Sequence, residues 1–259
     1  MLLAIDAGNT NTVFAIYDGE TRLGVWRIST DSKRTSDEYA VWLIQLMALE
    51  GLERAHVKRA VIASVVPEGL FNLVRLCERF FAATPIVVGD PLVKLNIRAN
   101  IDRPEEVGAD RLVNALAARE KFGAPVVVID FGTATTFDLV DPSGAYAGGL
   151  IAPGINLSLE ALYLAAAKLP RVAIKKTQKV IATNTVSAMQ SGLFWGYISM
   201  IEGIVARMRA ETGIHLLTVA TGGLAPMFAD ATDVISHTDG DLTLRGLMLI
   251  DRMNTDRSP

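Results

Sequence analysis

The hydrophobic positions of the chain fall into two alternating periods. Leu2–Ile5 is an apolar run stopped by Asp6, and Thr12–Ile16 resumes it, as two strands joined by a turn would. Arg22–Thr30 carries Leu23, Val25, Trp26 and Ile28 and reads as a third strand. Ser36–Glu50 sets Tyr39, Trp42, Leu43, Leu46 and Met47 at helical spacing, with Ser36 or Asp37 as the expected cap. Val57–Val66 is strand-like up to Pro67, and a helix through Leu70, Leu73, Leu76, Cys77 and Phe80 follows. Pro85–Gly89 reads as a short buried strand. Asp90–Pro104 is a long irregular connector, leading to a helix from Glu105 or Gly108 to Phe122.

The second half repeats the first. Val126–Val140 matches Leu2–Ile16 at a constant offset of 124, with Ile5 on Ile129, Asp6 on Asp130, Gly8 on Gly132 and Thr12 on Thr136. A strand over Tyr146–Ala152, a helix opened by Pro153-Gly154 and a mixed stretch over 168–183 come next. A helix from Thr185 to about Glu211 buries Met189, Leu193, Phe194, Ile198, Ile201, Val205 and Met208, with Thr185 a suitable cap. Ile214–Thr221 is a strand ending in the Gly222-Gly223 turn, Leu242–Met253 is the last helix, and residues 254–259 are expected to fray. A strand-turn-strand unit repeated half a chain apart predicts an α/β fold of two duplicated domains with mixed sheets and a cleft between them, over 1–122 and 123–259.

Composition narrows the function classes. A length of 259 residues suits about two domains, and a chain half hydrophobic and one-fifth charged can fill their cores. A net charge of -3 advertises no general nucleic-acid or acidic-lipid surface. The single cysteine, Cys77, excludes an intramolecular disulfide and reads as a core thiol. The apolar start meets Asp6 without a basic flank, so it is expected to be a strand and not a leader, in a cytoplasmic protein.

The chain contains no Gly-Lys or Gly-x-Gly, so it has neither a Walker A loop nor a dinucleotide fingerprint. His56, His215 and His237 lack ligand spacing. Asp6-Ala7-Gly8-Asn9-Thr10-Asn11-Thr12 can be an Asp-Gly hairpin turn. It can also be a phosphate loop, in which small residues let backbone N–H groups approach an anion while the carboxylate holds Mg²⁺. The second copy, Asp130-Phe131-Gly132-Thr133-Ala134-Thr135-Thr136, favours the phosphate loop. Asp130 ends a buried apolar run and needs either a cation or hydrogen-bond donors. Gly108-Ala109-Asp110-Arg111 opens a helix, where Asp110 can simply offset the helix dipole or serve as a base beside Arg111 as a carboxylate-binding fork. Asn184-Thr185 and Thr221-Gly222-Gly223 are weak signals alone.

Taken in order, IDAGNT (5–10), SVVP (64–67), EVGADR (106–111), VVIDFGTATT (127–136), GGLIAPG (148–154), NTVSAMQSG (184–192) and ATGG (220–223) make the chain resemble the type III pantothenate kinases of the actin-like ATPase superfamily. The resemblance implies two ribonuclease H-like domains, ATP-dependent phosphorylation of pantothenate at the start of coenzyme A synthesis, Mg²⁺, a monovalent cation (K⁺ or NH₄⁺) and a homodimer. It implies ATP contacts at Asp6, Ala7, Gly8, Asn9, Thr10, Asn11, Thr12, Val13 and Thr133, with Asp6 near Mg²⁺ directly or through water. It implies Asp110 as general base, Gly108, Ala109, Arg111 and Thr185 at pantothenate with Thr185 reaching across the dimer, and Asp130 on the monovalent cation. Ile101 stands where the family usually has a tyrosine before the Asp-x-Pro turn ending at Pro104. The alternatives are a kinase for another small hydroxy acid or sugar, or a non-catalytic regulator resembling the Bvg accessory factor.

Overall fold

The computed structural model describes residues 1–166 and 169–255. It divides into two compact units. Unit 1 holds Met1–Arg98, Asp102–Ala117 and the chain from Asp241 onwards; unit 2 holds Ala99–Ile101 and Ala118–Gly240.

Unit 1 starts with β1 (Leu2–Ala7), β2 (Asn11–Asp18) and β3 (Thr21–Ser29), an antiparallel meander. Helix α1 (Ser36–Leu49), β4 (Arg59–Ser64), helix α2 (Pro67–Phe81) and β5 (Pro85–Val87) complete a sheet of order β3-β2-β1-β4-β5, with β4 parallel to β1 and to β5. A central strand flanked on both sides buries both faces, which is why Leu2–Ile5 reads as unbroken apolar sequence. Leu3, Ile5, Phe14 and Ile16 pack under α1 and α2 through Tyr39, Leu43, Met47, Leu73, Leu76 and Cys77. Their neighbours Leu2, Ala4, Ala15, Val61 and Ala63 face the other way, against Val113 and Leu116 of α3 (Ala109–Phe122) and Leu244, Leu247 and Ile250 of α7 (Leu242–Thr255). Gly246 lets α7 approach α3: a Cβ there would meet the Val113 side chain and carbonyl at 2.5 Å.

Unit 2 repeats the plan with β6 (Val126–Phe131), β7 (Ala134–Val140), β8 (Tyr146–Pro153), helix α4 (Ile155–Ala165), helix α5 (Thr185–Thr212), β9 (Leu217–Thr221), helix α6 (Ala225–Ala229) and β10 (His237–Thr238). Its order β8-β7-β6-β9-β10, and the sense of every pairing, match unit 1. Val127, Ile129, Phe131 and Phe137 pack against Phe194, Ile198, Ile201 and Phe228. Across β7 and β8, the buried Asp138 carboxylate accepts hydrogen bonds from Tyr146 Oη and Thr136 Oγ1, each 2.8 Å.

Several sequence expectations are corrected here. The α1 cap is Thr35, in a capping box with Glu38, and not Ser36 or Asp37. The α5 cap is Asn184, whose side chain accepts from Ser187 N, so Thr185 is the first helical residue. The echo is in register along the first strand but slips by one after the turn. Ala7 pairs with Thr12 across a four-residue gap, whereas Phe131 pairs with Thr135 across a three-residue gap. Thr12 therefore corresponds to Thr135, not Thr136, and both are buried. Helix α6 and the two-residue β10 were not expected from sequence. The compact units and halves drawn at 122/123 are different divisions of the chain: they part at 99–101, at 118–122 and from Asp241 onwards, where α7 packs with unit 1. Fraying was expected over 254–259, but Asn254 and Thr255 close α7, and 256–259 lie outside the described residues, as do positions 167 and 168.

Candidate functional site

In unit 1 the candidate residues gather where β1 and β4 end. Ligands in parallel sheets bind beyond the carboxyl ends of strands, because there the strand termini and the helix starts offer unpaired backbone groups. Asp6 is the half-buried exception in a strand whose other residues from Leu2 to Ala7 are buried. Gly8 N donates to Asn11 O at 3.0 Å, closing the turn, and Asn9, Thr10 and Asn11 are exposed at its tip. Ala7 and Thr12 are buried beneath it, and Val13, half-buried, pairs with Asp6.

Helix α3 begins beside this turn. Val65, which follows β4, donates its N–H to Ala7 O at 3.0 Å, and its side chain lies against Gly108. A Cβ at Gly108 would stand 2.7 Å from Asp110 Oδ1, so a larger residue would oblige that carboxylate to shift from this rotamer. Asp110 Oδ1 accepts from Arg111 N at 2.8 Å, which fixes its rotamer over the first turn of the helix. Ala109, Asp110 and Arg111 are all half-buried. The structure thus brings the Asp6 turn and the Gly108–Arg111 helix start together within unit 1.

Unit 2 carries a second turn with the same ingredients. Asp130 is again the half-buried residue of an otherwise buried strand, Gly132 N donates to Ala134 O at 3.0 Å, and Gly132 and Thr133 are exposed. Two glycines crowd it. Gly222, at φ +89°, would place a Cβ 2.6 Å from Phe131 O and 3.0 Å from Asp130 Oδ1. Gly154 would place one 2.2 Å from Thr133 O and 2.6 Å from Gly132 O. One carboxylate oxygen and three carbonyl oxygens thereby pack against glycine backbone with no side chain between. Such oxygens suit hard cations such as Mg²⁺ or K⁺. Among the described residues no three His, Cys, Asp or Glu side chains group as they would to hold a metal ion by side chains alone.

Thr185 is exposed at the start of α5, in unit 2. Ile101, also in unit 2, lies against Gly148 of β8. Sequence reasoning did not assign Gly154 or Gly222 to the site. Their motifs, GGLIAPG and ATGG, are visible, but what crowds them comes from β6 and its turn.

Comparison with known proteins adds a family. The family model described as type III pantothenate kinase matches residues 2–207. A protein of that name from Paramagnetospirillum magneticum is 62% identical over 255 residues, covering 98% of each chain. One from Rhodospirillum rubrum is 58% identical over 254 residues, covering 98% of this chain and 99% of its own. Among solved structures, a Sinorhizobium meliloti protein assigned as a 2-dehydro-3-deoxygalactonokinase superposes with a TM-score of 0.64 at 14% identity, over 100% of this chain and 98% of that one. A Campylobacter jejuni protein assigned to the Baf family of transcriptional activators gives 0.60 at 18% identity, over 98% and 100%. At these identities the structural likeness speaks to the fold, two ribonuclease H-like domains, and not to the activity.

Proposed function

The chain belongs to the type III pantothenate kinase family, and from that premise we propose that it transfers the γ-phosphoryl group of ATP to the primary hydroxyl of pantothenate, giving 4'-phosphopantothenate and ADP, the first step of coenzyme A synthesis. The observation that carries the reading is the Asp110 carboxylate, locked by Arg111 N over the first turn of α3, beside the Asp6 turn. Phosphoryl transfer passes through a loose transition state, so alignment and charge neutralisation supply most of the catalysis. The pantothenate oxygen attacks phosphorus, the bond to the ADP oxygen breaks, and Asp110 accepts the hydroxyl proton.

In this proposal Asp6, Ala7, Gly8, Asn9, Thr10, Asn11, Thr12, Val13 and Thr133 hold ATP. Gly108, Ala109 and Arg111 hold pantothenate, Arg111 against its carboxylate. Mg²⁺ held at Asp6 and a monovalent cation held at Asp130 supply positive charge against the phosphates when bound. Thr185 reaches pantothenate across a homodimer interface. Supporting a dimer, eight of the twelve large apolar side chains exposed among the described residues fall between Leu150 and Val186, including Leu150 and Ile151 on the edge strand β8. A cytoplasmic location belongs to the same proposal, since ATP is supplied there.

The test is product formation by the purified protein with Mg-ATP and potassium, across pantothenate and a panel of hydroxy acids and sugars. Asp110→Asn should lower kcat by about 10²–10⁴-fold while ATP still binds. Wild-type turnover in that variant, or a better acceptor than pantothenate, would overturn the assignment.

A further inference from the structure

Thr30, the residue after β3, makes three hydrogen bonds to the Asp6 turn or its base. Its N–H donates to Thr10 O at 3.0 Å, and its hydroxyl donates to Gly8 O at 2.7 Å. The third links its Oγ1 to Thr12 Oγ1 at 2.9 Å. A threonine hydroxyl has one proton, and that of Thr30 is directed to Gly8 O, so Thr12 is the donor in this last bond. Thr12 is fully buried, so its hydroxyl needs this acceptor. The result is a directed relay, from Thr12 through Thr30 to the Gly8 carbonyl.

Unit 2 shows what the position does when no side chain is present. Gly154 follows β8 as Thr30 follows β3, and its N–H donates to Thr133 O at 3.0 Å, the counterpart of the bond from Thr30 N to Thr10 O. There the turn is one residue shorter, and its carbonyls occupy the space a Cβ would need, 2.2 Å from Thr133 O and 2.6 Å from Gly132 O. The longer turn of unit 1 stands off by the length of a hydroxyl bridge. We infer that Thr30 is a positioning residue for the nucleotide, a strut that sets where the Gly8–Asn11 backbone meets the ATP phosphates. The inference rests on the proposed role of that turn in holding ATP.

Thr30→Val keeps the shape of the side chain and removes its proton, and Thr30→Ser restores the hydroxyl. Three readouts on the full-length protein decide the matter: amide hydrogen exchange at Gly8 and Asn11, KM for ATP against KM for pantothenate, and melting temperature. The expected result for Thr30→Val is faster exchange in the turn and a rise of about five- to tenfold in the KM for ATP. Its KM for pantothenate and its kcat at saturating ATP should stay within about twofold of wild type, as expected for an effect confined to nucleotide binding. Thr30→Ser should return all of these to wild type. Unchanged exchange in Thr30→Val, equal rises in both KM values, or failure of serine to rescue each refute the strut. Faster exchange with an unmoved KM for ATP also refutes it, and shows that the fault lies in assigning this turn to the nucleotide.

Discussion

Gly222 and Gly223 are neighbours with opposite expected tolerances. Gly222 has φ +89°, and a Cβ there would lie 2.6 Å from Phe131 O, 2.9 Å from Phe131 C and 3.0 Å from Asp130 Oδ1; around Gly223 nothing lies within 4 Å. Gly222→Ala forces an L side chain into the left-handed region, at about 1–2 kcal/mol. It also overlaps backbone atoms that cannot rotate away, which adds about 1–3 kcal/mol. The sum is about 2–5 kcal/mol, enough to lower the melting temperature of a chain this size by on the order of 10 °C. Gly223→Ala should change stability by less than about 0.5 kcal/mol. Scanning calorimetry of both variants reads the contrast. Relief of the overlap pushes on the Asp130 carboxylate, so on the proposed role of Asp130 in holding the monovalent cation, the potassium concentration for half-maximal activity should rise in Gly222→Ala alone. Equal melting temperatures for Gly222→Ala and wild type would refute the packing argument. A lowered melting temperature with an unaltered potassium response would take the cation away from Asp130.

Two further outcomes are expected. Burial pushes the Cys77 thiol up to about 12 from 9.0. The native state therefore keeps its proton after the unfolded chain has lost it, and stability should fall by about 1.4 kcal/mol per pH unit between about pH 9 and 12. Below that window the thiol contributes no slope, and Cys77→Ala should decline less steeply in alkali, keeping the part due to Tyr17, which burial also raises; parallel curves for the two proteins would contradict this. Tyr146→Phe removes a hydroxyl donor to the buried Asp138 carboxylate, which should cost about 1–3 kcal/mol in urea unfolding. A loss under 0.5 kcal/mol would show that the phenol contributes little there.

The duplication was legible because a buried central strand must be apolar along its length, and both runs stop at an aspartate, Asp6 and Asp130. The slip after them was not, since it depends on turns of four and three residues, and pairing register leaves no mark in either strand alone. Caps were misplaced by one or two residues where suitable side chains stand in a row: Thr35, Ser36 and Asp37 can each accept from a helix N–H, and geometry selects Thr35. Strand β10 is too short to show a period, and helix α6 spans a single turn with Pro226 near its start. At the site, carboxylates announce themselves by type and position. The glycines at 154 and 222 and the hydroxyl of Thr30 act on carbonyls of segments distant in sequence, which no local pattern encodes.

The helix from Leu242 seals one face of the first sheet, where Leu244, Leu247 and Ile250 cover Leu2, Ala4 and Val61. During synthesis, the opening strands leave the ribosome more than two hundred residues ahead of their cover. Unit 2 is nearly continuous in sequence and can acquire its own core first, while the nascent amino-terminal sheet waits with that apolar face covered only in part, by Val113 and Leu116 of α3. Chaperone capture in that interval, and sensitivity to any premature stop before Leu242, follow from where this one helix docks.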